Sequence, residues 1–246
     1  MRKQVMELSF DDVTMDGAVA AAMTALRAGD RCRVVTPNAE FGLLARTDGR
    51  FRAVLNESQL VLPDGVGVLY AARILGAPIA QRVGGCDFAQ ALCAAMAAEG
   101  RRLFLLGAKP GVAEAAGERL RQTYPGLVVA GTRDGYFKED AEAVAAIRAA
   151  APDAVFVCLG APKQEFFMAD HGGEIDAPVL VGLGGTLDVL AGTVKRAPAF
   201  FQKAGLEWFY RLCKEPRRIG RMARLPLYLW YAFCWKLKGG SAHAAR

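Results

Sequence analysis

Three runs in this chain, LFLL (103–106), AVFVCL (154–159) and VLVGL (179–183), are apolar without a break, and they constrain the fold more than any other feature. A strand with one wet face alternates apolar and polar residues. A continuous apolar run must be covered on both faces, as in a parallel sheet between two layers of helices. Further strand-like stretches fall at 33–36, 60–62 and 127–130. Helical patterns occupy 15–26, 87–98, 112–123, 140–150 and 163–170, and Val66, Leu69, Tyr70 and Ile74 carry another. Strand and helix alternate up to about residue 190, so the expectation is an α/β core of βαβ units within a chain of 246 residues, long enough for one sizeable core.

Open parallel sheets bind ligands beyond the C-terminal ends of their strands, so the residues after each run are the candidate site. They are Thr36-Pro37-Asn38, Pro63-Asp64-Gly65, 107–111 (GAKPG), Arg133-Asp134-Gly135-Tyr136, 160–165 (GAPKQE) and 182–186 (GLGGT). One such turn means little, because strand-to-helix turns use these residues anyway. Six at the same end point to a ligand crevice. Arg82, Lys109 and Lys163, with the N–H groups of helix starts, suit a diphosphate; Thr36, Asn38 and Gln164 suit sugar hydroxyls or a base edge. Singly, each of these also reads as a solvated charge or a turn cap. Asp64 fits two roles equally: general base toward an attacking hydroxyl, or N-cap of the helix after Gly65.

Several chemistries are disfavoured. GLGGTL has Leu187 where a dinucleotide fingerprint needs its third small residue, which weakens a hydride-transfer enzyme, and GAKPGV lacks the Lys-Ser/Thr of a P-loop. The only serines are Ser9, Ser58 and Ser241, none in a G-x-S-x-G elbow. No D-x-D pair is present to hold a metal-bound nucleotide diphosphate, and the two histidines, His171 and His243, are too few for a histidine-rich metal site. The six cysteines form no C-x-x-C, so reduced core thiols are expected. Neither a metal nor a cofactor is expected. The N-terminal MRKQVMELSFDD has no apolar stretch like that of a signal peptide, which places the protein in the cytoplasm.

Charge is separated along the chain. From Lys195 onward lie 12 of the 31 basic and 2 of the 25 acidic residues, a balance of +10 that leaves −4 for the remainder. Five arginines (Arg211, Arg217, Arg218, Arg221, Arg224) run into LPLYLWYAFCWKL, too short to span a bilayer but suited to insertion at its interface. A helix packed on the core is the competing reading. Nucleic acid is disfavoured, since the aromatics sit among Leu and Ala rather than among the basic residues. The expected division is a catalytic core over 1–194 and a basic, aromatic, helical appendage over 195–246.

Taken in order, TPNAEF, LPDGVGVLYAARILG, RVGGCDF, LFLLGAKPGVAEAA, CLGAPKQE, GLGGTLDVLAGTVKRAP and GLEWFYRLCKEPRR resemble the WecG/TagA/CpsF family, glycosyltransferase family 26, from about residue 5 to about residue 225. The resemblance implies a Rossmann-like core and an inverting, metal-independent hexosyltransferase of bacterial surface-polymer synthesis. Such an enzyme moves N-acetylmannosamine, its uronic acid or glucose from a UDP-sugar onto a polyprenyl-diphosphate-linked saccharide at the inner face of the plasma membrane. It implies Asp64 as catalytic base. Thr36, Asn38, Arg82 and Gln164 line the sugar and acceptor site, and Tyr136 and Asp188 belong at the uridine end. Arg211, Arg218 and Arg221 meet the lipid diphosphate. Cys86 departs from the family, which more often has a small hydroxyl residue before the Asp of that block. The expected partners are the UDP-sugar, the lipid-linked acceptor and an anionic membrane surface, with self-association left open. The rival from another class is a non-catalytic nucleotide-sugar-binding or scaffold protein of a polysaccharide assembly complex.

Overall fold

The computed structural model describes residues 1–194, 224–239 and 244–245. The chain opens with an antiparallel hairpin, β1 (Arg2–Val5) and β2 (Leu8–Asp11), whose edge pairs with a short terminal strand, β9 (Ala244–Ala245). The main sheet contains β3 (Cys32–Val35), β4 (Leu60–Val61), β5 (Arg102–Gly107), β6 (Val128–Arg133), β7 (Ala154–Cys158) and β8 (Val179–Gly182). Their order is β4-β3-β8-β7-β5-β6, and every neighbouring pair is parallel. The six predicted strands are thus all present, each within one to three residues of its expected bounds.

The helices between them are α1 (Met15–Ala28), α2 (Ala39–Thr47), α3 (Gly49–Asn56), α4 (Val66–Ile74), α5 (Gly85–Ala98), α6 (Val112–Thr123), α7 (Asp140–Ala150), α8 (Lys163–His171) and α9 (Thr186–Leu190). Local chemistry sets several of their ends. The Thr14 hydroxyl accepts the Gly17 N–H to start α1, which stops at Gly29 in the left-handed region (φ 72°). Asn38 and Asp48 cap α2 and α3 in the same way.

Consecutive residues of each central strand face opposite layers. Leu103 and Leu105 join Ala154, Phe156, Val179 and Val181 against α1, α5 and α6. Phe104 and Leu106 join Val155, Val157 and Leu180 on the other face, against α2, α4, α7 and α8. All of β7 is buried, which is why its sequence carries no polar residue. At about 25 cal/mol per Å² of apolar surface removed from water, this double burial is the principal stabilising term. The hairpin closes the second layer, with Val5, Leu8 and Phe10 buried in it.

A last described helix, α10 (Arg224–Leu237), packs on α2 and α4. Two glycines make the notch that receives it. A Cβ at Gly42 would overlap the Tyr228 ring, and one at Gly67 would lie 2.5 Å from Leu225 Cδ1. Tyr228 and Ala232 are fully buried there, whereas Leu227, Trp230, Phe233, Trp235 and Leu237 remain exposed. One face of this helix packs on the core, as the competing reading of LPLYLWYAFCWKL has it, and the other leaves aromatics exposed. Among the described residues no helix is long and apolar enough to cross a membrane.

Candidate active site

The loops beyond the C-terminal ends of β3, β4, β7 and β8 converge on a crevice of about 370 Å³. Thr36 and Asn38 follow β3, Asp64 follows β4, Gly160, Ala161 and Gln164 follow β7, and Gly184, Gly185, Thr186 and Asp188 follow β8; Gly85 and Cys86 open α5. An open depression of about 460 Å³, lined by Arg27, Arg148, Asp153 and Asp176, lies at the opposite ends of the strands. It gathers none of the predicted polar turns.

The Pro63-Asp64-Gly65 loop is clamped from two sides. Asp64 N–H donates to the Pro37 carbonyl at 3.1 Å, and Val83 N–H donates to the Pro63 carbonyl at 3.0 Å. Gly65 has φ 97°, a conformation that a side chain would strain, and this lets the chain turn at once into α4. Asp64 does not cap α4: Gly65 occupies the N-cap position, and no side chain bonds to that helix end. The carboxylate instead reaches across to the start of α5, where Oδ2 accepts the Gly85 N–H at 3.2 Å. Arg82 Nη1 stands 3.9 Å from Asp64 Oδ1, while Arg82 Nη2 lies 3.4 Å from Asp87 Oδ2. A helix N-terminus and a guanidinium thus hold the Asp64 carboxylate at the crevice edge.

Thr36 and Gln164 are built into the walls. Thr36 Oγ1 donates to the Gly182 carbonyl at 3.2 Å, joining β3 to β8. Gln164 is 1% exposed. Its Oε1 accepts the N–H of Gly160 at 3.2 Å and of Gly184 at 2.8 Å, and its Nε2 donates to Glu165 Oε1 at 2.6 Å. Asn38 Oδ1 caps α2 by accepting from Glu40 and Phe41, and its Nδ2 has no partner among the described residues. Three acids line the crevice, each beside a partner: Asp64 by Gly85 and Arg82, Glu40 by Arg224 of α10, and Asp188, whose Oδ1 lies 3.5 Å from Thr193 Oγ1.

The structure brings together Thr36, Asn38, Asp64, Gln164 and Asp188, with Arg82 against Asp64. Tyr136 is not among the lining residues; it is 69% exposed on the loop after β6. Lys163, a candidate for a diphosphate, places Nζ 4.4 Å from the centre of the Phe137 ring. Arg211, Arg218 and Arg221 lie outside the described residues.

Sequence reasoning passed over Glu165. It is wholly buried, Oε2 has no partner among the described residues, and burial pushes its carboxyl up to about 7. The signal was in α8 itself, because Gln164 stands three residues before Phe167 and Glu165 three before Met168, on the face turned to the core.

The sequence profile described as the Glycosyl transferase WecG/TagA/CpsF family matches residues 3–242. The chain is 38% identical over 228 residues to an N-acetylglucosaminyldiphosphoundecaprenol N-acetyl-beta-D-mannosaminyltransferase of Bacillus spizizenii (strain ATCC 23059 / NRRL B-14472 / W23), covering 92% of this chain and 89% of the relative. The protein of the same name from Bacillus subtilis (strain 168) is 37% identical over 79% of this chain and 76% of its own length. That from Staphylococcus aureus (strain MW2) is 34% identical over 92% of this chain and 90% of its own. With a matching profile over nearly its whole length and relatives this similar end to end, the chain belongs to the WecG/TagA/CpsF family of glycosyl transferases.

Proposed function

We propose that the protein transfers N-acetylmannosamine from a UDP-sugar, with inversion at the anomeric carbon, to the N-acetylglucosamine of an undecaprenyl-diphosphate-linked acceptor. The relatives' names supply the transferred sugar and the acceptor, and the family resemblance supplies the UDP donor and the inversion. The observation that carries the chemistry is Asp64, a carboxylate clamped on a strand-end loop at the crevice. In the reaction, an acceptor hydroxyl oxygen attacks the anomeric carbon as its proton passes to Asp64. The bond to the diphosphate breaks on the opposite face, and UDP leaves with the electron pair. A single displacement of this kind requires one base and no covalent sugar–enzyme intermediate. Arg82 and the N-terminus of α5 are charge partners for the leaving diphosphate, so transfer is proposed to need no divalent metal.

The exposed aromatic face of α10, with Arg224, Lys236 and Lys238 beside it, suits contact with an anionic membrane, where a lipid-linked acceptor resides. Arg211, Arg218 and Arg221 belong, on this reading, to the acceptor diphosphate. The test is UDP release from a panel of UDP-sugars, with N-acetylglucosaminyl-diphosphate lipid as acceptor, in the presence and absence of chelator. Turnover with the N-acetylmannosamine donor, unchanged by chelator, is expected. Strict dependence on Mg²⁺ or Mn²⁺ overturns the metal-free reading, and failure of every UDP-sugar overturns the function.

A further inference from the structure

Gln164 has four hydrogen-bonding positions: two lone pairs on Oε1 and two N–H bonds on Nε2. Both lone pairs are taken by the protein, one by Gly160 N–H after β7 and one by Gly184 N–H after β8. One N–H goes to Glu165 Oε1. The amide cannot be turned over, because a flip would set Nε2 against two backbone donors and Oε1 against a carboxyl oxygen. The remaining position is an N–H with no partner among the described residues, on a side chain that lines the crevice.

We propose that Glu165 is a positioning residue that locks the Gln164 amide, so that Gln164 offers the sugar donor an N–H and never an oxygen. The substrate atom read at this point is therefore a hydrogen-bond acceptor, such as a carbonyl, hydroxyl or phosphate oxygen. The inference rests on the transferase reading for its ligand but not for its geometry.

Glu165 suits this task better than another polar residue. An ionised carboxyl only accepts, so its lone role toward Nε2 is to hold it; if protonated on Oε2, it still presents Oε1 as an acceptor. Apart from its own backbone N–H, Gln164 is the hydrogen-bond partner that offsets the burial of this carboxyl. It is fully buried on α8, and a Cβ on Gly182 of β8 would lie 3.1 Å from Gln164 Nε2 and 3.3 Å from Glu165 Oε1. The absence of a side chain at Gly182 is thus what admits the pair against the sheet. The same arrangement ties both strand-end loops to one amide, so the wall of the crevice and the polarity of its contact are set together.

The closing experiment exchanges the two side chains in the full-length protein. In Q164E/E165Q, the new amide at 165 donates to the new carboxylate at 164, which still accepts from Gly160 and Gly184. What changes at residue 164 is its remaining N–H, which gives way to a carboxylate oxygen. The expected result is wild-type protection of the Gly160 and Gly184 amides from hydrogen exchange and a wild-type Tm. KM for the UDP-sugar rises at least tenfold, while kcat stays within about threefold. E165Q alone keeps an oxygen facing Nε2 and is expected to stay within threefold of wild type in KM and in exchange. E165M, which removes that oxygen, is expected to speed exchange at Gly160 and Gly184 at least tenfold.

A swapped variant with wild-type KM overturns the N–H reading. Wild-type exchange in E165M, or an E165Q as impaired in KM as the swap, overturns the lock. If the wild type turns over no UDP-sugar, the proposed function fails, and the E165M exchange rates still decide whether Glu165 holds Gln164.

Discussion

Asp64 Oδ2 and the Gly85 N–H are 3.2 Å apart, although Asp64 lies in the turn before α4 and Gly85 opens α5, 21 residues on in sequence. The carboxylate that reads locally as a cap for the helix following it is held instead by the start of α5, at the rim of the crevice. Asp64→Asn preserves an oxygen for Gly85 and removes the capacity to take a proton. The expected outcome is an unchanged fold and UDP affinity, with kcat lower by roughly 10²–10⁴-fold, the usual contribution of a general base. Calorimetric UDP titration beside a turnover assay checks it. Near-full activity of this variant returns Asp64 to a structural role.

Gly42 and Tyr228 make the second test. A Cβ at Gly42 would overlap the Tyr228 ring, which is buried between α10 and α2. Gly42→Ala should destabilise the protein by about 1–3 kcal/mol, in spite of alanine's better helix propensity, because the helix must move off its notch. Denaturant melts read this directly. A stabilised variant would mean that α10 does not rest on α2 in solution.

Glu165 predicts a pH dependence. Its folded-state carboxyl lies near 7, above the ordinary 4.5, because burial penalises the charge. Its favourable contribution is therefore complete below about pH 4.5 and is lost as pH rises through about 7, since the unfolded chain releases this proton first. Glu165→Gln removes the titration. Between pH 5 and pH 8 the variant should gain on wild type by roughly 2–3 kcal/mol in unfolding free energy. Parallel stability curves for the two proteins across that range would contradict it.

The outer face of α10 supplies the fourth prediction. Trp230 is 61% exposed and its ring centroid lies 6.0 Å from that of Phe233, while Tyr228 and Ala232 hold the other side of the helix. Replacing Trp230 and Phe233 together by Ser should leave Tm within a few degrees and abolish sedimentation with anionic vesicles. Binding of the wild type should weaken at high salt, since each basic residue near the surface adds about 1 kcal/mol that salt screens. Removing the whole helix is the less informative experiment, because it also uncovers Gly42, Gly67 and the apolar surface around them. Vesicle binding that survives the double substitution removes α10 as the membrane contact.

The layered sheet was legible in the residues themselves, because burial on both faces leaves a strand no choice of side chain. β7 is the clearest case: AVFVC is apolar throughout, and Phe156 and Val157 enter opposite cores. Helices α6 and α7 begin and end where their apolar period does. The N-terminal hairpin was not legible, since RKQV and LSFD are short and half polar, and they become strands only by pairing with each other and packing on the second core layer. Nor could local pattern choose between cap and base for Asp64, or show that Gln164 spends three of its four hydrogen-bonding positions inside the protein. Periodicity reports which face of an element is dry, because burial acts residue by residue. Which loop meets which is decided by the sheet order β4-β3-β8-β7-β5-β6, which brings the turn after residue 35 beside the turn after residue 182. That adjacency arises from long-range packing, and only the folded chain sets Asp64 against Gly85 and Gln164 between Gly160 and Gly184.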